Sequence, residues 1–362
     1  MTGFVPPAYP YDRLGALTAL ADDLPDGAID LSIGTPCDDA PAEVVAALCA
    51  GSAYRGYPPS IGTVALRQAA ADWIERRLGA SVNPGTEVAA VVGSKEFVAS
   101  TPQYLHLRDP SRDTILYPQV SYPTYEMGAT LAGLRAVAYS TLNTIDTADA
   151  ARALALWVNS PANPTGALAD LGAAAAWGRS HGVPVLSDEC YAEFTYAEAP
   201  TTILRHGTAG VLAVHSLSKR DNFAGARIGF YAGDAELVHY LREVRKHAGL
   251  MASGPVQTAA VIALADDAHV EAQKERYLRR MTRLIEILAA VGIEATLPGG
   301  AFYLWVPAPD GDAWAAARHL ARTAGIVSSP GEFYGARSTG YLRLAAVQPD
   351  DRIELAAKRV GL

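Results

Sequence analysis

Between about residue 40 and residue 245, short apolar runs alternate with segments of helical spacing, and this pattern constrains the fold more than any other feature. EVAAVVG (87–93) ends in glycine, and KEFVASTPQYLHL follows it with helical periodicity. DTILYP (113–118), LALWVNSP (154–161), VPVLSDE (183–189) and GVLAVHSLS (210–218) read as further strands, and ADLGAAAAWGRSHG reads as a helix. Apolar strands alternating with helices predict βαβ units and a mostly parallel sheet covered on both faces. QKERYLRRMTRLIEILAAVG (273–292) is amphipathic over a long helix, and AFYLWVP and GYLRLAA after it are strand candidates. The reading is an α/β chain: a large domain over 40–245, and a smaller α+β domain from 1–39 and 246–362.

Composition closes off several classes. Half of the 362 residues are hydrophobic and 19% are charged, a globular balance with enough chain for a substantial core. The net charge is −8, so no basic face for nucleic acid is expected. No apolar run is long enough to span a bilayer, and the N-terminus has no signal-peptide pattern. Cys37, Cys49 and Cys190 are too far apart for a zinc motif or a disulfide framework, so no metal is expected and a cytoplasmic location is. No G-x-G-x-x-G opens a helix after a strand, which argues against a dinucleotide-binding oxidoreductase.

In such a sheet, ligands bind beyond the carboxyl ends of the strands. Four polar clusters fall there: Gly93-Ser94-Lys95, the stretch Asn159 to Gly166, Asp188 with Tyr191, and Ser216 with Ser218 and Lys219. Singly, each has an ordinary reading. Ser94 and Lys95 open a helix, which suits a phosphate or a plain turn. Asn163 lies in NPTG, a turn sequence. Asp188 is a buried carboxylate facing a cation, or a helix cap. Lys219 alone is a surface charge. Arg227 grips a phosphate or joins a surface ion pair. Arg343, inside an apolar strand, binds a carboxylate or forms a structural salt bridge. Tyr122 stacks on a flat ligand or fills the core. Tyr57 sits on a Pro/Gly-rich loop, where an exposed ring points to binding or an interface.

Together and in chain order, GYPPSIGTVALR, NSPANPTG, SDECY, SLSKRDNFAGARIGF, PGGAFYLW and YLRLA resemble the fold-type-I pyridoxal-phosphate aminotransferases of class I/II over nearly the whole chain. DLSIGTPCD, GSKE, SYPTYEMGA, SDECYAEF and SLSKRDNFAG are most like the actinobacterial N-succinyldiaminopimelate aminotransferases. The resemblance implies pyridoxal 5′-phosphate as cofactor, held by Lys219 as a Schiff base. Asp188 then faces the ring nitrogen, Tyr191 and Asn163 the phenolic oxygen, and Tyr122 the ring face. Ser94, Lys95, Ser216 and Arg227 hold the phosphate, with Tyr57 reaching it from the second subunit of a homodimer. Arg343, Gly34 and Asn163 bind the substrate α-carboxylate. Lys219, Asp188 and Tyr191 are the catalytic set. The implied reaction moves an amino group from glutamate to a 2-oxo or semialdehyde acceptor, N-succinyl-2-amino-6-oxopimelate by the closer resemblance. An aspartate, alanine or aromatic aminotransferase, a cysteine-sulfur β-lyase of the same fold and a non-catalytic cofactor-binding module are the alternatives.

Overall fold

The computed structural model describes residues 3–51 and 54–362. The chain divides into two compact units. The smaller comprises Met1–Gly34, Arg276–Pro298 and Phe302–Leu362; the larger comprises Thr35–Glu275 and Gly299–Ala301. Strand β1 (Ile29–Asp30) belongs to the smaller unit. The larger unit contributes β2 (Val88–Val91), β3 (Thr114–Pro118), β4 (Arg135–Tyr139), β5 (Ala153–Asn159), β6 (Val185–Asp188), β7 (Val211–Ser216) and β8 (Gly229–Gly233). They form one sheet in the order β2-β8-β7-β6-β5-β3-β4. Neighbours run parallel except at β8, which is antiparallel to both β2 and β7.

The central strands are apolar without interruption because both faces are covered. Along β5, Leu156 and Val158 enter one hydrophobic cluster, and Ala155 and Trp157 enter the other. Val211 and Ala213 of β7 join the first cluster, and Leu212 and Val214 the second. Period-2 alternation thus persists, but both phases are apolar. Each fully buried Leu or Val contributes about 1.5–3 kcal/mol.

The larger unit extends through Glu275, beyond the expected boundary at 245. The helix Gly254–Ala265 is the reason, because it packs on the helices Ala42–Ala50 and Val64–Trp73 of the same unit. Two strands absent from the sequence reading, β4 and β8, complete the sheet. In the smaller unit, β1 pairs with β10 (Ile326–Val327). There β9 (Tyr303–Pro307), β11 (Ser329–Pro330) and β12 (Tyr341–Ala345) form an antiparallel sheet in the order β11-β12-β9. Among the described residues, no helix is long and apolar enough to cross a membrane.

Candidate active site

Register brings the expected residues of the larger unit to one rim. Val91, Gly229 and Ser216 are aligned across β2, β8 and β7, and Asn159, Asp188 and Val214 across β5, β6 and β7. The chain leaving or entering each strand there carries Ser94, Arg227, Lys219, Tyr191 and Asn163.

The helix Ser94–Arg108 begins directly after Gly93, whose φ is +81°. The N–H groups of a helix's first turn have no partner within the helix, and Lys95 in that turn is exposed. Any side chain at Gly93 would collide with the guanidinium of Arg227. Arg227 itself has φ +56° and donates to the Ala224 carbonyl at 3.1 Å. Ser216 caps the short helix Leu217–Arg220 by accepting from the Ser218 N–H at 3.2 Å, which leaves its own proton to donate. The Ser94 N–H, the Arg227 guanidinium and the Ser216 hydroxyl are donors of the kind that suits an anion. Lys219, on that short helix, is half-buried rather than a solvated surface charge.

Asp188 is 6% exposed at the end of β6. Its carboxylate accepts from the Tyr125 hydroxyl at 2.8 Å and from the Cys190 N–H at 3.2 Å. Burial pushes its carboxyl up, against the pull of Cys190 and Tyr125. Among the described residues no Lys, Arg or His forms an ion pair with it. A buried carboxylate held by neutral donors suits a cationic ligand atom, such as a protonated ring nitrogen. The donor set thus fits pyridoxal 5′-phosphate at both ends: an anion site at Ser94, Ser216 and Arg227, and an acidic group at Asp188.

Three residues to which the sequence reading gave no role of their own, Tyr125, Asn159 and Cys190, complete this site. Tyr125 is buried, and burial with the adjacent Asp188 carboxylate keeps its phenol protonated. It stacks on Trp157 at 5.2 Å and meets Tyr122 edge-on at 6.0 Å. Asn159 donates to the Asp188 carbonyl at 2.8 Å and accepts from the Asn163 N–H at 2.7 Å, so one amide ties the NPTG loop to the Asp188 strand. Cys190 bonds Asp188 and Ser94 through its side chain and feels the charge of Lys219. Burial foremost, then Asp188, pushes its thiol well above the usual range, so it is not a thiolate nucleophile. Of the three, Asn159 has a local signal, because it closes the apolar run of β5. Tyr191 and Asn163 are buried on the same rim, and Tyr122 is half-buried. Tyr57 is 93% exposed on the loop before the helix Val64–Trp73.

Behind the rim, Glu189 Oε2 lies 3.5 Å from His215 Nε2, both fully enclosed. Burial pushes Glu189 up to about 7 and His215 down to about 3, so at neutral pH the contact is not an ion pair. Glu189 Oε1 accepts from the Ser187 hydroxyl and the Ile203 N–H, each at 2.8 Å. A carboxyl raised from 4.5 in the unfolded chain to about 7 in the fold makes stability fall as pH rises across that window. Glu189→Gln keeps an acceptor for Ser187 and Ile203 but does not ionise. It is expected to be more stable than the parent by about 3 kcal/mol at pH 8 and by under about 1 kcal/mol at pH 5. Denaturant melts at the two pH values check this; an equal difference at both would sink it.

In the smaller unit, Arg343 is 2% exposed in β12. Its guanidinium donates to the Ser32 carbonyl and lies 4.3 Å from the Tyr303 ring and 4.8 Å from the Tyr334 ring. A Cβ at residue 34 would overlap the Tyr303 phenol, so any larger residue than Gly34 would displace that ring. Two aromatic faces and a backbone carbonyl surround the planar cation in this cluster.

Comparison with known proteins identifies the family. The family model described as aminotransferase class I and II matches residues 26–360. The chain is 39% identical to the probable aminotransferase Rv1178 of Mycobacterium tuberculosis, over 98% of this chain and 85% of that protein. It is also 39% identical to the 4-dedimethylamino-4-oxo-anhydrotetracycline transaminase OxyQ of Streptomyces rimosus, over 98% of this chain and 99% of that one. A solved structure described as a probable N-succinyldiaminopimelate aminotransferase from Thermus thermophilus superposes with a TM-score of 0.86 at 29% identity, covering 97% and 98% of the two chains. The chain belongs to the class I and II aminotransferases and is a pyridoxal 5′-phosphate-dependent transaminase.

Proposed function

We propose that the chain transfers the amino group of glutamate to N-succinyl-2-amino-6-oxopimelate, as an N-succinyldiaminopimelate aminotransferase of diaminopimelate and lysine synthesis. The likeness to the Thermus thermophilus structure, at a TM-score of 0.86 over 97% of the chain, carries this substrate assignment. The cofactor supplies the aldehyde that takes up the amino group and the ring that delocalises charge from the substrate Cα.

The protein's own residues do the rest. Lys219 is the covalent attachment point, and once displaced its amine moves the proton at the substrate Cα. An arginine would stay protonated and could do neither. Asp188, oriented by Tyr125 and Cys190, holds the ring nitrogen protonated. Tyr191 and Asn163 donate to the phenolic oxygen, and Tyr122 covers the ring face. Ser94, Lys95, Ser216 and Arg227 hold the phosphate, and Tyr57 reaches it from the partner of a homodimer; 93% exposure in the single chain supports that last assignment. Arg343 takes the α-carboxylate, with Gly34 and Asn163. The enzyme works in the cytoplasm.

A second reading rests on the Streptomyces rimosus relative, matched at 39% identity along 99% of its length. That relative is named for a ring ketone on a tetracycline skeleton, which makes a cyclic ketone the rival acceptor class. The test is amine transfer from glutamate to the succinylated semialdehyde, to simple 2-oxo acids and to an anhydrotetracycline ketone. The succinylated acceptor is expected to give a kcat/KM at least about 10²-fold above the others, the discrimination a recognised distal carboxylate supports. Preference for the ring ketone would transfer the assignment to the second reading. Release of pyruvate and ammonia from cystathionine, without transfer, would replace both with a lyase.

A further inference from the structure

Arg220 follows Lys219 directly, yet it faces away from the rim into the interior and is 4% exposed. Its guanidinium donates from Nε to Glu193 at 3.3 Å, from Nη1 to Asp221 and to the Ala263 carbonyl at 2.6 Å each, and from Nη2 to the Asp266 carbonyl at 3.3 Å and Asp267 at 3.2 Å. A guanidinium has five N–H donors, and these five contacts use them all. Arg220 therefore has none left for a ligand.

Glu193 is 3% exposed and lies two residues after Tyr191, on the 3₁₀ turn Ala192–Phe194. Besides Arg220 it accepts from Trp73 Nε1 at 2.7 Å and from Arg77 Nε at 3.0 Å. The Arg220–Glu193 pair thus joins two short segments: the four-residue helix bearing Lys219 and the turn that follows Tyr191. The charged groups around the pair are Arg77 from the helical turn Ile74–Leu78, Asp221 beside Arg220, and Asp267 at the start of the helix Asp267–Ala290.

We infer that the buried Arg220–Glu193 pair is a positioning device for the transamination site, fixing the Lys219 segment against the Tyr191 segment from behind. The inference rests on the proposed roles of Lys219 and Tyr191. A phenol donating to the ring oxygen stabilises its anion and lowers the proton affinity of the neighbouring Lys219 linkage. Displacing Tyr191 relative to Lys219 therefore raises the pH midpoint of the bound cofactor's absorbance. It also slows the proton transfer while leaving substrate binding intact.

The experiment uses holoenzyme variants Arg220→Met, Arg220→Lys, Glu193→Gln and Tyr191→Phe, and the double variant Arg220→Met/Tyr191→Phe. Arg220→Met and Glu193→Gln are expected to raise the absorbance midpoint in the same direction as Tyr191→Phe. They should lower kcat by about 10²-fold with KM nearly unchanged. The double variant should match Tyr191→Phe alone, because the pair acts through the tyrosine. Arg220→Lys should recover part of both effects. An unchanged midpoint in Glu193→Gln, or effects of Arg220→Met and Tyr191→Phe that multiply independently, would overturn the inference. If Arg220→Met does not fold, Glu193→Gln and Arg220→Lys carry the same comparison. Borohydride fixation in Lys219→Ala reports separately on the parent reading, so the two failures are distinguishable.

Discussion

Lys219→Ala protein is expected to bind cofactor without fixing it: borohydride should couple none to the chain, and turnover should fall by at least about 10⁴-fold. Lys219 is the half-buried lysine on the short helix after β7. Cys190, whose thiol bonds both Asp188 and Ser94, feels its charge. The amine is thus within electrostatic reach of Cys190, which follows Asp188 by two residues. Alanine removes both the attachment point and the base. Ser94, Ser216 and Arg227, the proposed phosphate donors, are untouched, so cofactor should still co-purify non-covalently. Lys219→Arg should be equally inactive, since guanidinium neither condenses with an aldehyde nor accepts a proton at neutral pH. Borohydride-stable cofactor in Lys219→Ala would remove the assignment.

The rim was legible because strand ends are local signals. Asp188, Ser216 and Asn159 each close an apolar run, and in a parallel sheet such ends share one edge. The strand β8 was not legible. GFYAG offers three apolar side chains between two glycines and runs against its neighbours, so no βαβ pattern marks it. β4, at the sheet edge, has mostly exposed or half-buried residues and no apolar alternation. The helix Gly254–Ala265 is apolar almost all round, and only its packing on Ala42–Ala50 and Val64–Trp73 shows which unit it joins. Within the site, residue types were legible and their supports were not. Asp188 is recognisable in SDECY, but its hydrogen bond from Tyr125 spans 63 residues. Arg220 and Glu193, 27 residues apart, likewise meet only through the fold. Pairings that depend on tertiary packing leave no periodic trace in a single sequence.

Asp188→Asn separates the charge of this group from its shape. The amide keeps an oxygen for the Tyr125 hydroxyl, whose bond to Asp188 is 2.8 Å, and fills the same volume. It cannot ionise. In the native fold burial raises the Asp188 carboxyl, so without a cation its ionised form opposes folding as pH rises above the unfolded value of 3.8. The cofactor-free Asp188→Asn protein is therefore expected to be more stable than the parent at pH 8, with the difference shrinking towards pH 4. With cofactor bound the order should reverse, because only the carboxylate pairs with a protonated ring nitrogen. Turnover should fall by about 10³-fold, since a neutral amide cannot hold that proton while charge spreads from the substrate Cα. A general folding defect would lower both forms together, whereas the loss of a charge partner stabilises one and weakens the other. Melting curves of apo and holo protein at pH 8, with kcat for the same preparations, decide between them. Parent-like turnover in Asp188→Asn would show that the ring nitrogen does not depend on this carboxylate. The opposite signs in the two melts would identify Asp188 as a group whose burial costs the fold and serves the reaction.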